Sequence, residues 1–89
     1  MKRYTISREK NNGFCRLLQS LVGCSEISGI LQYPTTGKEY KIDVRTRSYR
    51  KATIRGYFSD DVVRVEIDEE EETISQLLEN YIKEDKILD

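Results

Sequence analysis

The sequence predicts an α+β domain: a single two-layer sandwich in which a four- to five-stranded, mainly antiparallel meander carries two helices on one face. Three observations lead there. Apolar residues recur with a period near 3.6 in two segments, around Phe14 and around Ile74. Between them, from Ser28 to Asp68, the period changes to about 2. A chain of 89 residues has material for one core, so residues 1–89 form a single domain. A partly closed small β-barrel with flanking helices is the alternative packing of the same elements.

The elements follow in order. Segment 2–7 sets Tyr4 and Ile6 on one side and reads as an edge strand. Phe14, Leu17, Leu18, Leu21 and Val22 fall at i, i+3, i+4, i+7 and i+8, the stripe of a helix over 13–23. Asn11 or Asn12 is expected to cap its start and Gly23 to supply the left-handed residue at its end. Strands are expected at 28–33, 38–46, 50–58 and 62–68. In the second of these Tyr40, Ile42 and Val44 alternate with Lys41, Asp43 and Arg45. In the fourth, Val63, Val65 and Ile67 alternate with Arg64, Glu66 and Asp68. Pro34-Thr35-Thr36-Gly37 and Ser59-Asp60-Asp61 are turn chemistry, whereas the connection around Arg47-Ser48-Tyr49 holds neither Gly nor Pro. Ile74, Leu77, Leu78, Tyr81 and Ile82 mark a final helix over 69–86, with Asp68 and Glu71 spaced as a capping pair. The expected core is Ile6, Phe14, Leu17, Leu18, Leu21, Ile30, Tyr40, Ile42, Val44, Ile54, Phe58, Val63, Val65, Ile67, Ile74, Leu77, Leu78 and Ile82.

Charge is sorted along the chain. Residues 1–57 carry twelve Lys/Arg against four Asp/Glu, and residues 58–89 carry three against twelve, so a formal net charge of −1 conceals two opposed blocks. Massed like charges attract an oppositely charged surface over about a Debye length, roughly 8 Å at physiological salt. The acidic block, Asp60, Asp61, Glu69, Glu70, Glu71 and Glu72, is the candidate surface for a protein partner. The expected function is therefore a small non-enzymatic binding protein that regulates or inhibits a macromolecular partner. The alternative is a DNA- or RNA-binding domain using a basic sheet face: Lys41, Arg45, Arg47, Arg50, Lys51 and Arg55 to track phosphates, Tyr49 and Tyr57 to stack on bases. Each block also has a plainer reading, as a solvated sheet face and as acids at the start of a helix. The Arg45 to Arg55 cluster could neutralise the acids within the chain.

Catalytic readings fail for want of partners. Ser7-x-x-Lys10 lacks the companion motifs of acylating hydrolases. Thr36-Gly37-Lys38 lacks the first glycine and the following helix of a phosphate loop. Cys15 and Cys24 lie too far apart on a helix and its exit for a disulfide and are expected as free thiols. With no histidine in the chain, Cys15 has no usual base and the two thiols make no closed zinc site. Neither cofactor nor metal is expected. The sequence shows no signal-peptide pattern and no apolar run of membrane-spanning length, so a cytoplasmic, membrane-free setting is the expectation. A homodimer would supplement so small a core.

Overall fold

A computed structural model of the chain describes residues 1–23 and 27–88, with side chains as far as Lys83. The elements run β1 (Lys2–Ser7), α1 (Arg8–Ser20), β2 (Ile27–Gln32), β3 (Glu39–Thr46), β4 (Lys51–Ser59), β5 (Val62–Asp68) and α2 (Thr73–Leu88). The alternating segments pair throughout as antiparallel neighbours in one five-stranded sheet of order β1-β5-β4-β3-β2. Strands β2 to β5 are the meander. β1 reaches the far edge because α1 carries the chain back across one face. The sheet stays open, with β1 and β2 at its edges, so the barrel alternative is not formed.

Period 2 sends every second side chain to the helix side. Ile6, Val63, Val65, Ile67, Ile54, Ala52, Val44, Ile42 and Tyr40 are buried there against Phe14 and Leu18 of α1 and Ile74 and Leu78 of α2. Leu17, Leu21, Ile30, Phe58, Leu77 and Ile82 pack around that cluster, half-buried. Ile27 is fully buried although it lies before the expected start of its strand, because β2 begins one residue early and is bulged between Ile27 and Gly29. The two helices meet at Gly13, where an added Cβ would collide with the Tyr81 hydroxyl.

Both helix starts differ from the expectation, for the same reason: the capping group is polar and carries no apolar periodicity. α1 begins at Arg8 rather than residue 13. Ser7 caps it, its Oγ accepting from the Lys10 N–H at 3.1 Å, so the Ser-x-x-Lys spacing is a helix start. Asn11, expected as the cap, is buried within the helix and accepts the Tyr40 hydroxyl proton at 2.5 Å. α1 closes at Ser20, and Gly23 takes a left-handed φ of 79° beyond it, donating to the Ile27 carbonyl at 2.8 Å. Cys24 lies outside the described residues. α2 begins at Thr73, not at 69. Glu69 caps it in place of the expected Asp68 and Glu71, accepting from the N–H groups of Ile74 and Ser75 at 3.1 and 3.0 Å.

The turns use local side chains. Thr36 Oγ1 accepts from the N–H groups of Lys38 and Glu39 at 3.2 and 3.0 Å, so Thr36-Gly37-Lys38 is a hydroxyl-stabilised turn. In the connection without Gly or Pro, Tyr49 itself takes the left-handed conformation, φ 62°, with its side chain exposed.

Candidate functional site

The helices cover one face of the sheet and leave the other open to solvent. Register places the open-face side chains in rows across the strands, since directly paired residues share a face. One row runs Thr5, Arg64, Tyr57, Glu39. The next runs Arg3, Glu66, Arg55, Lys41 and ends on Tyr33, whose N–H bonds the Lys41 carbonyl at 3.1 Å. Then come Asp68, Thr53, Asp43, Leu31, and finally Lys51, Arg45, Gly29. Six cations and four carboxylates therefore share this face.

The carboxylates near its middle are engaged. Asp43 is buried beneath it, accepting from Tyr33 Oη at 2.7 Å and Thr53 Oγ1 at 3.0 Å, with Lys51 Nζ at 3.4 Å. Burial alone would raise its pKa, but the two hydroxyl donors and Lys51 outweigh it and hold the carboxyl below its ordinary value. The same bond raises the Tyr33 hydroxyl, because ionised Tyr33 would face a carboxylate. Glu66 pairs with Arg3 at 3.1 Å. Lys41 Nζ sits 4.6 Å from the centroid of the Tyr33 ring. Among the described residues, Arg45, Arg55 and Arg64 form no salt bridge. Open depressions on this face include two of about 380 Å³, one bordered by Tyr57, Arg64 and Arg3 and the other by Gly29, Leu31, Arg45 and Lys51, and one of about 290 Å³ bordered by Thr53, Arg55, Glu66 and Asp68.

The eight residues singled out as a basic surface divide. Lys41, Arg45, Lys51, Arg55 and Tyr57 come together on the open face. Arg47, Tyr49 and Arg50 fall in the β3–β4 turn, where Arg47 donates to the Gly23 carbonyl at 2.9 Å. Arg50 turns to the acidic run, pairing with Glu70 and with Glu71, the latter at 3.1 Å. Ser48 Oγ donates to Glu71 at 2.8 Å, and Lys2 pairs with Glu72 at 3.2 Å. With Glu69 capping α2, each of the four consecutive acids has an intramolecular partner. Asp60 and Asp61 form the exposed two-residue β4–β5 turn, Asp60 at φ 49°, their carbonyls accepting from the Arg8 side chain and backbone at 2.6 and 3.3 Å.

The chain matches no protein-family model, no curated protein and no solved structure. Its chemistry must be read from its own residues. Among the described residues no group of three or more His, Cys, Asp or Glu is placed to hold a metal ion, and no helix is long and apolar enough to cross a membrane. Cys15 is half-buried, and burial raises its thiol pKa, which disfavours the nucleophilic thiolate.

Sequence reasoning passed over two open-face residues, Arg3 and Arg64, and read Tyr33 as a turn or polar-face ring able to serve an interface. Both were readable from strand parity, since Arg64 lies between buried Val63 and Val65 and Arg3 between Lys2 and Tyr4. The partners of Tyr33 were not readable, because it follows β2 and its contacts with Lys41 and Asp43 depend on the register with β3.

Proposed function

We propose that this domain is a non-enzymatic binding module whose open sheet face holds single-stranded nucleic acid. The observation that carries the reading is the contrast between the two charge blocks. The run Glu69 to Glu72 is engaged inside the chain, while Arg45, Arg55 and Arg64 stand on the open face with no salt bridge among the described residues, on both sides of Tyr57. Guanidinium groups neutralise phosphates, and an aromatic ring on a sheet offers a stacking platform to an unpaired base. A single strand suits such a face better than a duplex, because among the described residues both helices lie on the opposite face and none is placed here to enter a groove.

Fluorescence anisotropy of labelled oligonucleotides tests this. If Lys41, Arg45, Arg55 and Arg64 each contact a phosphate, a slope of about −0.7 per contact lowers single-strand affinity about 50-fold between about 50 and 200 mM salt. Absence of binding at the lower salt removes the reading.

A protein partner at the acidic run is the second reading, supported by the exposure that Glu70 and Glu72 keep while paired, 76% and 71% of their side chains. Reversing both charges should then abolish a protein complex and leave nucleic-acid affinity no weaker.

A further inference from the structure

The two edges of the sheet are unlike. β1 carries Lys2 and Arg3, the charged kind of edge that resists pairing with another strand. β2, Ile-Ser-Gly-Ile-Leu-Gln, carries no charge, and its Leu31 side chain lies on the open face with the residue 58% exposed. We infer that β2 pairs antiparallel with β2 of a second copy of this chain, about a two-fold axis at Leu31, joining two sheets into one of ten strands.

The register follows from hydrogen bonding already in place. Tyr33 N–H bonds the Lys41 carbonyl, and in an antiparallel ladder bonded and non-bonded pairs alternate. Tyr33, Leu31 and Gly29 therefore direct their backbone groups to β3, and Ile30 and Gln32 direct theirs outward. The outward edge is occupied at Ile27, whose carbonyl takes the Gly23 N–H. Centring the axis on Leu31 sets Ile30 against Gln32 of the partner subunit, and Gln32 against the partner's Ile30, so every outward N–H and C=O of these residues is used. Leu31 meets its own copy as a close non-bonded pair, which covers the exposed side chains.

The same register sets Tyr33 opposite the partner's Gly29. No heavy atom lies within 4 Å of where a Cβ at Gly29 would be, so nothing at that position obstructs the approach of Tyr33. No like charges are opposed along this neutral edge, which makes it compatible with itself. The strands contribute about five residues a side, far fewer than the roughly 20 to 30 of a standard interface. The dimer is accordingly weak and concentration-dependent.

Sedimentation velocity of the full chain from about 10 µM to about 1 mM is the test. The wild type should pass reversibly from monomer to dimer over that range. Leu31→Lys sets two cations on the axis. Gln32→Pro deletes an outward N–H that takes no part in the β2–β3 ladder. Each should weaken dimerisation by about tenfold or more. Circular dichroism melts establish that both variants fold, and either one suffices if the other does not. A monomeric wild type at the top concentration overturns the inference, as does a dimer that a folded variant forms as tightly as the wild type. Loss of nucleic-acid binding in the preceding experiment would leave this result untouched, since no nucleotide is present.

Discussion

The ring of Tyr40 occupies the space that a Cβ at Gly56 would fill. The two residues are directly paired between β3 and β4, and both are buried. The glycine lets the ring lie down on the sheet so that its hydroxyl reaches Asn11 of α1 at 2.5 Å, linking the helix to the central strands. Gly56→Ala should therefore destabilise the domain by about 1 to 3 kcal/mol through overpacking, although alanine is the better residue on local grounds. Tyr40→Phe leaves the Asn11 carbonyl oxygen buried without its donor and should cost a similar amount, about 1 to 3 kcal/mol. Urea unfolding measures both, and a Gly56→Ala variant as stable as the wild type would refute the close approach.

This pair also marks where sequence reasoning stops. The alternation of Tyr40, Ile42 and Val44 places the ring on the buried face, and the same parity puts Gly56 between Ile54 and Phe58. Neither pattern says that residue 40 pairs with residue 56, which depends on the length of the β3–β4 turn, and that turn is built on a left-handed Tyr49 where glycine would be the usual sign. The helices show the same division. Their apolar stripes were legible because burial imposes period 3.6. Their starts were not, because Ser7 and Glu69 cap through single hydrogen-bonding atoms that leave no periodic trace. For the candidate site, strand parity brought Lys41, Arg45, Lys51, Arg55 and Tyr57 to one face. The removal of Arg50 to the acidic run needed the tertiary approach of two loops.

Glu69 accepts two backbone N–H groups of the first turn of α2, and one of them belongs to Ser75, which is buried. Replacing it with alanine strips both donors of their partner. Glu69→Ala should cost about 1 to 2 kcal/mol. Glu71→Ala removes only exposed contacts to Arg50 and Ser48 and should cost less than about 1 kcal/mol. Comparing the two by chemical denaturation tests whether the acidic run holds a cap at one end and surface pairs at the other; equal losses would contradict that division.

Asp43 gives the fold an acid sensitivity with a defined sign. Its folded pKa lies below the ordinary value of 3.8, because the donors Tyr33 and Thr53 and the Lys51 ammonium favour the carboxylate more than burial disfavours it. A depressed folded pKa contributes stability that is present above the unfolded pKa and is lost as pH falls through the folded one. Asp43→Asn should be less stable than the wild type at pH 7, by about 1 to 3 kcal/mol. That gap should close as the pH drops below about 4. Denaturation midpoints across this range are the check, and a gap independent of pH would show that the charge on Asp43 contributes nothing.

The proposed interface separates stacking from charge in a way that one titration series resolves. Tyr57 lies between Arg64 and Glu39 in its row, with Arg55 on the neighbouring row of the same strand face. Tyr57→Ala removes a platform worth about 1 to 3 kcal/mol per base, so single-strand affinity should fall by about 5- to 150-fold while its salt dependence stays unchanged. Arg55→Gln removes one phosphate contact and should reduce the salt slope by about 0.7. Arg50→Ala, whose guanidinium is paired with Glu70 and Glu71, should alter neither. If Arg50→Ala weakens binding as much as Arg55→Gln, nucleic acid engages the β3–β4 turn rather than the open sheet face, and Tyr49 becomes the ring to substitute next.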